Sequence, residues 1–405
     1  MFEAIISKLS TLLTIGICSI PAVGCAKAAE VSTPPATANL NLPASFQANI
    51  FAKLKGGGGE YFTGPRMLAF DKAGNLFVSL GRNNQVIMLP DTNRDGLAEA
   101  PVLISDQFKA PNGLAFVGDD LLVANEDGVV KLTQKNGAWS APKPFISKLP
   151  SGGHTLKTIK IGPDNFLYMN IGSSCNVCIE DNPLRATILR YTPEGKPAGS
   201  LETIGRHAAN PTWAKGLRNS QGFAWNPKTG SMFATNNGAD MRSDKKDGKV
   251  NDEIPPEHFN KIEPGKHYGW PYCWGNQIQD PNFMGAEDFC KTTTPPAITF
   301  ISHSTPIGVT FLDKTNFPVE YKSDAIVALH GSWNREQLSG YKLVRVKFIG
   351  DNPVEVVDFA TGWLNKNEAW GRPVDVITGP DGALYVSDDR AGYIYRITYK
   401  NSSSK

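Results

Sequence analysis

The stretch "RPVDVITGPDGALYVSDDRAGYIYRI", residues 372–397, contains the pattern that decides the fold. Apolar and polar residues alternate on both sides of a Pro-Asp-Gly turn, and β-branched and aromatic side chains are frequent, as in half-buried strands. Asp and Gly tolerate the tight or left-handed geometry of such a turn. The stretch therefore predicts three consecutive strands, the second of which ends at Ser-Asp-Asp.

The same pattern recurs along the chain. The other copies are "GPRMLAFDKAGNLFVSLGRNNQVIML" from Gly64, "APNGLAFVGDDLLVANEDGVVKL" from Ala110, "HTLKTIKIGPDNFLYMNIGSS" from His154, "RNSQGFAWNPKTGSMFATNNGAD" from Arg218 and a divergent copy that begins with "STPIGVTFL" at Ser304. Repeated four-stranded units of this kind close into a β-propeller, which leaves few free strand edges. We expect an all-β, six-bladed β-propeller over residues 45–400. A β-sandwich or an open sheet is the alternative.

Length, composition and charge bound the function classes. The chain has 405 residues, of which 40% are hydrophobic, with 39 glycines and 29 prolines. Such a chain can bury a sizeable core, and its Gly and Pro content suits a fold with many turns. The formal net charge is only +2 at pH 7. Bulk electrostatics therefore give no reason to expect a nucleic-acid partner.

The N-terminal residues predict export. The apolar stretch "LSTLLTIGICSIPAVGC" after Lys8 is too short and too interrupted for a membrane span, which indicates a signal peptide over residues 1–24. Its ending resembles the bacterial lipobox, whose cysteine, here Cys25, would be lipidated; plain secretion is the alternative. Residues 25–44 are small and polar and predict a tether. We expect a periplasmic or extracellular protein that reaches the membrane only through a lipid anchor.

Four cysteines lie beyond this N-terminal segment: Cys175, Cys178, Cys273 and Cys290. In an oxidising compartment we expect them to form disulfides, with Cys273–Cys290 stapling a loop and Cys175–Cys178 closing a tight ring. A zinc site would need more ligands nearby. A c-type haem would need a histidine after the second cysteine, where Ile179 stands.

Polar, mostly cationic residues occupy the same phase of the repeat, just before the inner strand of each blade. They are Arg66, Asn112, His154, Arg218, Asn219 and Arg372. Each alone is best explained by a salt bridge, but together around one channel they indicate an anionic ligand. His154 is also a candidate general base, because imidazole titrates near neutrality. The alternative is a histidine that only satisfies hydrogen bonds at a strand start.

Several motifs carry a resemblance to a known family. "GGH" followed by "IGPDNFLYMNIG", then "GLRNSQGFAWNPKTG", "IEPGKHYGWP" and "RPVDVITGPDGALYVSDD" resemble the soluble glucose/sorbosone dehydrogenases, and the sorbosone dehydrogenase branch in particular. The resemblance covers nearly the whole chain after about residue 45. It implies a six-bladed propeller that binds pyrroloquinoline quinone (PQQ) with calcium. It further implies oxidation of an aldose or a sugar aldehyde, with electrons passing to an external quinone or cytochrome.

The resemblance also implies roles for single residues. His154 occupies the position of the base that takes the substrate's hydroxyl proton, and Arg218 with Asn219 matches the pair that contacts the quinone oxygens. A fixed cation beside an oxygen that gains charge lowers the barrier. Gly238 and Ala239 match the backbone carbonyls that bind calcium, a hard cation that prefers oxygen.

Some positions depart from the family pattern. Gly153 replaces an acidic residue that helps to hold sugar in the glucose enzymes, which puts glucose itself in doubt. Val374 replaces the second of two arginines in the last blade, and His330 replaces a lysine that meets a cofactor carboxylate. Arg335, just beyond His330, could supply the missing cation, and the candidates for holding the cofactor carboxylates are Arg66, Arg335 and Arg390. His330 and Arg372 are further candidates for binding the cofactor.

"DTNRDGLAEA" from Asp91 is similar to the start of a calcium loop. The glutamate expected at loop position twelve is Val102, so the EF-hand pattern fails. An Asp/Asn-rich turn is the preferred interpretation, and a second calcium at Asp91–Glu99 is the alternative.

Two other functions are compatible with a propeller. One is a metal-dependent lactonase of the gluconolactonase type, whose sites use several acidic side chains on one metal; a cationic funnel opposes it. The other is a non-catalytic binding propeller, which fold alone does not exclude.

Overall fold

The computed structural model describes residues 38–54, 64–200 and 210–400, and in these ranges the chain forms six four-stranded antiparallel sheets. The predicted signal peptide, Cys25 and the tether residues up to 37 lie outside the described residues. The six sheets are the blades of a β-propeller, which confirms the predicted fold class and blade number.

Short strands and a single α-helix follow one another along the described ranges. The first half contains β1 (Phe46–Lys53), β2 (Leu68–Phe70), β3 (Leu76–Leu80), β4 (Gln85–Leu89), β5 (Val102–Ser105), β6 (Leu114–Val117), β7 (Asp120–Asn125), β8 (Gly128–Leu132), β9 (Gln134–Lys135), β10 (Ala138–Trp139), β11 (Lys143–Ile146), β12 (Ile159–Ile161), β13 (Leu167–Ile171), β14 (Thr187–Tyr191) and β15 (Thr212–Lys215). The second half contains β16 (Phe223–Trp225), β17 (Met232–Asn236), β18 (Glu257–Ile262), β19 (Cys273–Trp274), β20 (Ile278–Gln279), α1 (Glu287–Thr292), β21 (Ile298–Phe300), β22 (Pro306–Phe311), β23 (Ala325–Leu329), β24 (Lys342–Ile349), β25 (Asn352–Ala360), β26 (Leu364–Asn365), β27 (Glu368–Ala369), β28 (Pro373–Thr378), β29 (Leu384–Asp388) and β30 (Tyr393–Tyr399).

From the inner to the outer strand, the blades are β2–β3–β4–β5, β6–β7–β8–β11, β12–β13–β14–β15, β16–β17–β18–β21, β22–β23–β24–β25 and β28–β29–β30–β1. The last blade takes its outer strand from the beginning of the domain, since β1 pairs with β30 from Phe46↔Tyr399 to Lys53↔Tyr393. Residues of the predicted tether contact this region too: Ala38 N donates to Ala48 O at 2.9 Å, and Asn41 pairs with Thr361.

The turn that defines the repeat has the expected geometry in two blades. In the last blade, Gly382 has a positive φ of 74°, and Asp381 accepts hydrogen bonds from Ala383 N at 3.2 Å and from Tyr385 Oη at 3.2 Å. The third blade repeats these contacts with Asp164, which accepts from Phe166 N at 3.2 Å and Tyr168 Oη at 2.9 Å. A turn carboxylate that caps its own turn and holds a tyrosine of the next strand explains why the Pro-Asp motif recurs.

The hydrophobic core is divided among the six junctions between consecutive blades. One cluster of buried side chains lies at each junction, with representative pairs Leu76 and Ile394, Phe77 and Leu121, Leu122 and Leu167, Ile188 and Phe223, Phe259 and Val327, and Leu343 and Tyr395. Because each blade buries both faces against its neighbours, strands such as β3, β13 and β23 are buried at every residue. The closed ring leaves the loops before the inner strands to converge on the axis.

Both predicted disulfides are formed, Cys175–Cys178 in the loop after β13 and Cys273–Cys290 in the segment between β18 and β21. None of the helices in the described ranges has the length and apolar character required to cross a bilayer.

Candidate active site

A central cavity of about 510 Å³ lies where the loops before the inner strands converge. Seven of the predicted site residues line it: Arg66, His154, Arg218, Asn219, Gly238, His330 and Arg372. This volume lies within the range of small-molecule sites. The structure thus brings together all but one of the residues whose common phase in the repeat predicted a channel-facing group; Asn112 is the exception.

Glycines place His154 at the cavity wall. Gly152 and Gly153 have positive φ values of 77° and 60°, which favour glycine. A Cβ on Gly153 would lie 2.6 Å from the Ser173 carbonyl oxygen, and one on Gly172 would lie 2.4 Å from the His154 Cβ. The "GGH" motif therefore packs the histidine loop directly against the backbone that follows β13.

The His154 ring is held through Nδ1 and is neutral at pH 7. Nδ1 lies 2.8 Å from Ser173 Oγ and 3.2 Å from the Ser173 carbonyl oxygen. Burial, followed by the positive charge of Arg218, lowers the pKa of His154 to about 4. Within the described chain, no hydrogen bond involves Nε2, so this nitrogen remains for a substrate.

Arg218 is buried and fixed by the protein. Nε donates to Asn176 O at 3.0 Å, Nη1 donates to Gly238 O at 2.8 Å, and Nη2 donates to Asn176 Oδ1 at 2.8 Å and to Asp240 Oδ2 at 2.9 Å. A guanidinium has five N–H groups, and these bonds use four of them. The second N–H of Nη1 is left for a ligand, beside a positive charge that needs no rearrangement to act.

A second arginine stands in a buried network with two partners. Arg66 is fully buried and donates from Nη1 to Asp389 Oδ2 at 2.7 Å, while Asp389 Oδ1 lies 2.9 Å from His330 Nε2. Burial, followed by the charge of Arg372, lowers the pKa of His330 to about 4. His330 is therefore neutral at pH 7. It does not supply the positive charge of the lysine that the family pattern has at this position.

The remaining predicted cations differ in placement. Arg372 lines the cavity and donates from Nε to His330 O at 3.1 Å. Arg335 instead donates to Asp252 O at 2.9 Å and to Glu253 Oε1 at 2.5 Å, which ties its loop to the insertion before β18. Arg390 lines a separate depression beside Trp370. The structure does not bring Arg335 and Arg390 to the central cavity.

Asn112 also lies outside the cavity lining. It is fully buried, accepts from Arg66 Nε at 3.1 Å and donates to Lys157 O at 3.1 Å. Its position in the repeat predicted a residue facing the channel, and the structure places it one layer behind, where it orients Arg66.

The predicted metal carbonyls differ in their surroundings. Gly238 lines the central cavity, and its carbonyl already accepts one hydrogen bond from Arg218. Ala239 is buried and lines a smaller adjoining cavity that also contains His258 and Asp280. A carbonyl oxygen has two lone pairs, so Gly238 keeps one for a cation.

Two buried amide oxygens at the cavity need a partner. Among the described residues, neither Asn219 Oδ1 nor Asn237 Oδ1 has one, although both residues line the cavity. Leaving a buried acceptor without a hydrogen bond is costly. These two oxygens are therefore suited to accept a hydrogen bond from a bound ligand or to coordinate a hard cation. The donor set fits a polar, partly anionic cofactor together with an oxygen-ligated metal.

Sequence reasoning missed several lining residues. They are Arg82, Gln221, Asn237, Asp240, Glu257, His303 and Trp333. Glu257 accepts from Gly238 N at 2.6 Å, and burial raises its pKa to about 7. Gln221 lies inside a motif that carried the resemblance, and Asn237 directly precedes Gly238, so their spacing from Arg218 and Gly238 was a usable signal.

The lining is less cationic than the sequence predicted. Asp240 and Glu257 add carboxyl groups, and Asp389 is paired with Arg66. In the described ranges, however, the one group of three potential metal ligands drawn from His, Cys, Asp and Glu is Cys175, Cys178 and Glu180, and both of its cysteines are in the disulfide. An acidic cluster of the lactonase kind is thus not found among the described residues of the cavity.

The Asp91–Glu99 segment forms a self-contained turn away from the cavity. Asp91 accepts from Asp95 N and Gly96 N, each at 3.1 Å, and Glu99 accepts from Thr92 N at 2.9 Å. These contacts account for the Asp/Asn-rich turn, and a calcium in this loop stays the untested alternative.

Comparison with known proteins identifies the family. A family model described as TrAA12-like matches residues 58–400. The chain belongs to the TrAA12-like family. Among similar proteins, an uncharacterised protein of Borreliella burgdorferi is 28% identical over 384 residues, covering 90% of this chain and 92% of that protein. Aldose sugar dehydrogenase YliI of Escherichia coli is 24% identical over 262 residues, covering 63% of each chain.

Solved structures confirm the fold of this TrAA12-like chain. The calcium structure of the Trichoderma reesei AA12 protein has a TM-score of 0.75 at 20% identity and covers 91% of this chain and 98% of that one. The holo PQQ domain of pyranose dehydrogenase from Coprinopsis cinerea has a TM-score of 0.71 at 19% identity and covers 89% and 97%. The resemblance that the motifs indicated is confirmed at the level of the family.

Proposed function

We propose that this TrAA12-like protein is a PQQ- and calcium-dependent dehydrogenase that oxidises an aldose or a sugar aldehyde of the sorbosone kind and passes electrons to an external acceptor. One observation carries the proposal: one cavity is lined both by His154, which is held through Nδ1, and by the guanidinium of Arg218, which four hydrogen bonds fix in place. A base beside a preorganised cation is the pair required to remove a proton and a hydride from an H–C–O–H unit, which is the anomeric carbon of an aldose or the hydrate of an aldehyde.

The cavity residues favour an anionic cofactor with polar edges. Arg66 and Arg372 line the cavity, and Asn219 and Asn237, whose Oδ1 atoms have no hydrogen-bond partner among the described residues, belong to the same lining. Guanidinium groups suit carboxylates, and amide oxygens suit N–H donors or calcium. The names of similar proteins support the same cofactor class, since the Coprinopsis cinerea relative is a PQQ-dependent pyranose dehydrogenase and a solved structure from Streptomyces coelicolor, 19% identical to this chain, is the PQQ-bound form of an aldose sugar dehydrogenase.

The chemistry expected of bound PQQ with calcium is acceptance of a hydride at an activated quinone carbonyl. His154 Nε2 takes the hydroxyl proton of the substrate. The remaining N–H of Arg218 Nη1 and the Asn219 side chain orient the reacting face and stabilise negative charge that develops there. Gly238 O, with the Asn237 amide oxygen near it in sequence, is the group that would hold the metal.

The test is calorimetric binding of PQQ to the purified full chain. We expect binding with calcium present, weakened by a chelator, and a quinone absorption change when an aldose is added to the loaded protein. Absence of PQQ binding in the presence of calcium would falsify the assignment. Hydrolysis of a sugar lactone by the metal-loaded protein without PQQ would indicate a lactonase instead. Binding of PQQ with no turnover of any aldose or aldehyde would indicate a binding propeller.

A further inference from the structure

The groups that face His154 Nδ1 are two oxygens of Ser173. The carbonyl oxygen accepts from His154 N at 2.9 Å and lies 3.2 Å from Nδ1, and a carbonyl cannot donate. The hydroxyl oxygen lies 2.8 Å from Nδ1 and can either accept from it or donate to it. The direction of this hydrogen bond therefore decides which ring nitrogen carries the proton.

The Ser173 hydroxyl has a second partner that uses its proton. Ser173 Oγ donates to the Cys175 carbonyl oxygen at 2.7 Å. A hydroxyl has one proton, so the same oxygen can only accept from His154. Both groups facing Nδ1 then offer lone pairs, Nδ1 carries the hydrogen, and Nε2 is the unprotonated nitrogen.

The Cys175 carbonyl is itself held in place. Cys175 and Cys178 close a four-residue ring through their disulfide. The next residue, Asn176, takes part in five hydrogen bonds: from Arg218 Nε at 3.0 Å and Trp270 Nε1 at 3.1 Å to its carbonyl, from Arg218 Nη2 and Asp240 N to its Oδ1, each at 2.8 Å, and from its Nδ2 to Asp240 O at 2.9 Å. Through Asn176, the ring that contains the Cys175 carbonyl is therefore linked to Arg218.

We propose that the Cys175–Cys178 ring is a positioning device that keeps the Ser173 proton on Cys175 O and thereby sets His154 in the Nδ1–H tautomer, with the Nε2 lone pair available to the cavity. The tautomer stands on geometry alone, while its value for catalysis rests on the proposed function. A base with the opposite tautomer would present an N–H to the substrate hydroxyl and could not take its proton.

The experiment records nitrogen chemical shifts of the full-length protein labelled with ¹⁵N-histidine, without added PQQ, at neutral pH. The His154 signals are assigned with His154→Gln. We expect the wild type to show Nδ1–H. Cys175→Ser combined with Cys178→Ser frees the serine proton, and we expect a new Nε2–H population. Adding Ser173→Ala to this pair leaves the carbonyl as the only oxygen of residue 173 facing Nδ1, so the Nδ1–H tautomer should return.

The matched control is Cys273→Ser with Cys290→Ser, which opens the other disulfide and should leave the His154 signals unchanged. A wild type in the Nε2–H tautomer overturns the inference. So does a ring-opened variant with unchanged signals, or one that Ser173→Ala does not restore. If the Cys175→Ser/Cys178→Ser variant does not fold, a reductant is added to the wild type to open this disulfide selectively. Selectivity is expected because Cys175 and Cys178 are partly exposed, whereas Cys273 and Cys290 are 4% and 1% exposed.

The result is independent of the proposed function. A protein that shows these tautomers but binds no PQQ keeps the ring's role and loses the assignment of activity. A protein that turns over sugar with the Nε2–H tautomer at His154 keeps the activity and loses the role of the ring.

Discussion

His154→Ala separates catalysis from folding and cofactor binding. If Nε2 takes the substrate proton, its removal should lower turnover by ~10²–10⁴-fold, the usual contribution of a positioned general base. At 1.36 kcal/mol for each tenfold change, this corresponds to about 3–5 kcal/mol of barrier. The mutation acts on the transition state, so it should lower kcat with little change in KM.

The structural cost of the same mutation is smaller. The ring is partly buried and makes its described contacts through Nδ1 to Ser173. Loss of hydrogen bonds of this kind costs about 1 kcal/mol each. We therefore expect a small drop in the free energy of unfolding and a change in PQQ affinity of less than about tenfold. A purely structural histidine would give the reverse order, with lower stability and normal turnover per folded molecule.

The control is His303→Asn, a second histidine of the cavity lining. His303 has a positive φ of 61°, which asparagine tolerates, and burial lowers its pKa as it does for His154. Melting temperature, PQQ affinity and single-turnover reduction are measured on the same preparations. Two results would refute proton abstraction by His154. One is a fall in turnover per bound cofactor of less than about tenfold for His154→Ala, and the other is an equal fall for His303→Asn.

Three other outcomes are expected. Arg218→Ala should weaken PQQ binding by tenfold or more in calorimetry, whereas Arg335→Ala, which removes contacts of the loop to Asp252 and Glu253, should leave PQQ affinity unchanged; equal effects would place Arg335 at the cofactor. Burial raises the pKa of Glu257 to about 7, above its value in the unfolded chain. The free energy of unfolding therefore falls as pH rises from about 4.5 to 7, because the carboxyl group ionises first in the unfolded state. The free energy of unfolding of Glu257→Gln, measured with denaturant, should not fall across this pH range. Relative to the wild type it should rise by up to about 3 kcal/mol, at 1.36 kcal/mol per pKa unit. Wild-type and mutant stabilities that change with pH in parallel would contradict the prediction. Cys25→Ser should release the exported protein from the membrane fraction, and a wild type that is already soluble after cell lysis would contradict lipidation.

The sequence allowed the repeated elements to be predicted because each blade carries its own evidence. Alternation and Pro-Asp turns are local, and the hydrogen bonds by which Asp164 and Asp381 hold the turn and the next tyrosine span at most four residues. The pairing of β1 with β30 was not predicted, because Phe46–Lys53 lacks the repeat and its partner lies at the other end of the domain. Likewise, the phase of the repeat predicted correctly that Arg66, His154 and Arg218 line the cavity, but it wrongly placed Asn112 there. It gave no information on Arg335, whose loop position depends on contacts with a distant insertion.

The electrostatic prediction failed in an informative way. The sequence showed a ring of cations, and the structure gives most of them partners: Asp389 for Arg66, Asp240 for Arg218 and backbone carbonyls for Arg372. Asp389 follows directly on the last residue of β29, in the same Ser-Asp-Asp motif that marked the strand end, but a repeat pattern does not show which side chains face each other across the axis.

These internal partners change how the cavity would recognise an anion. An unpaired buried guanidinium would pay a large desolvation penalty before any ligand arrived, whereas a paired one is already stabilised and oriented. Arg218 illustrates the consequence, since four of its N–H groups are bound by the protein and one is left in a fixed direction. Recognition in such a site depends on where single donors and acceptors point rather than on net charge. The same holds for His154, where the proton on Nδ1 and the lone pair on Nε2 follow from hydrogen bonds that begin in the Cys175–Cys178 ring. A site built in this way discriminates by direction, which is the property that transfer of a proton and a hydride from one carbon–oxygen unit requires.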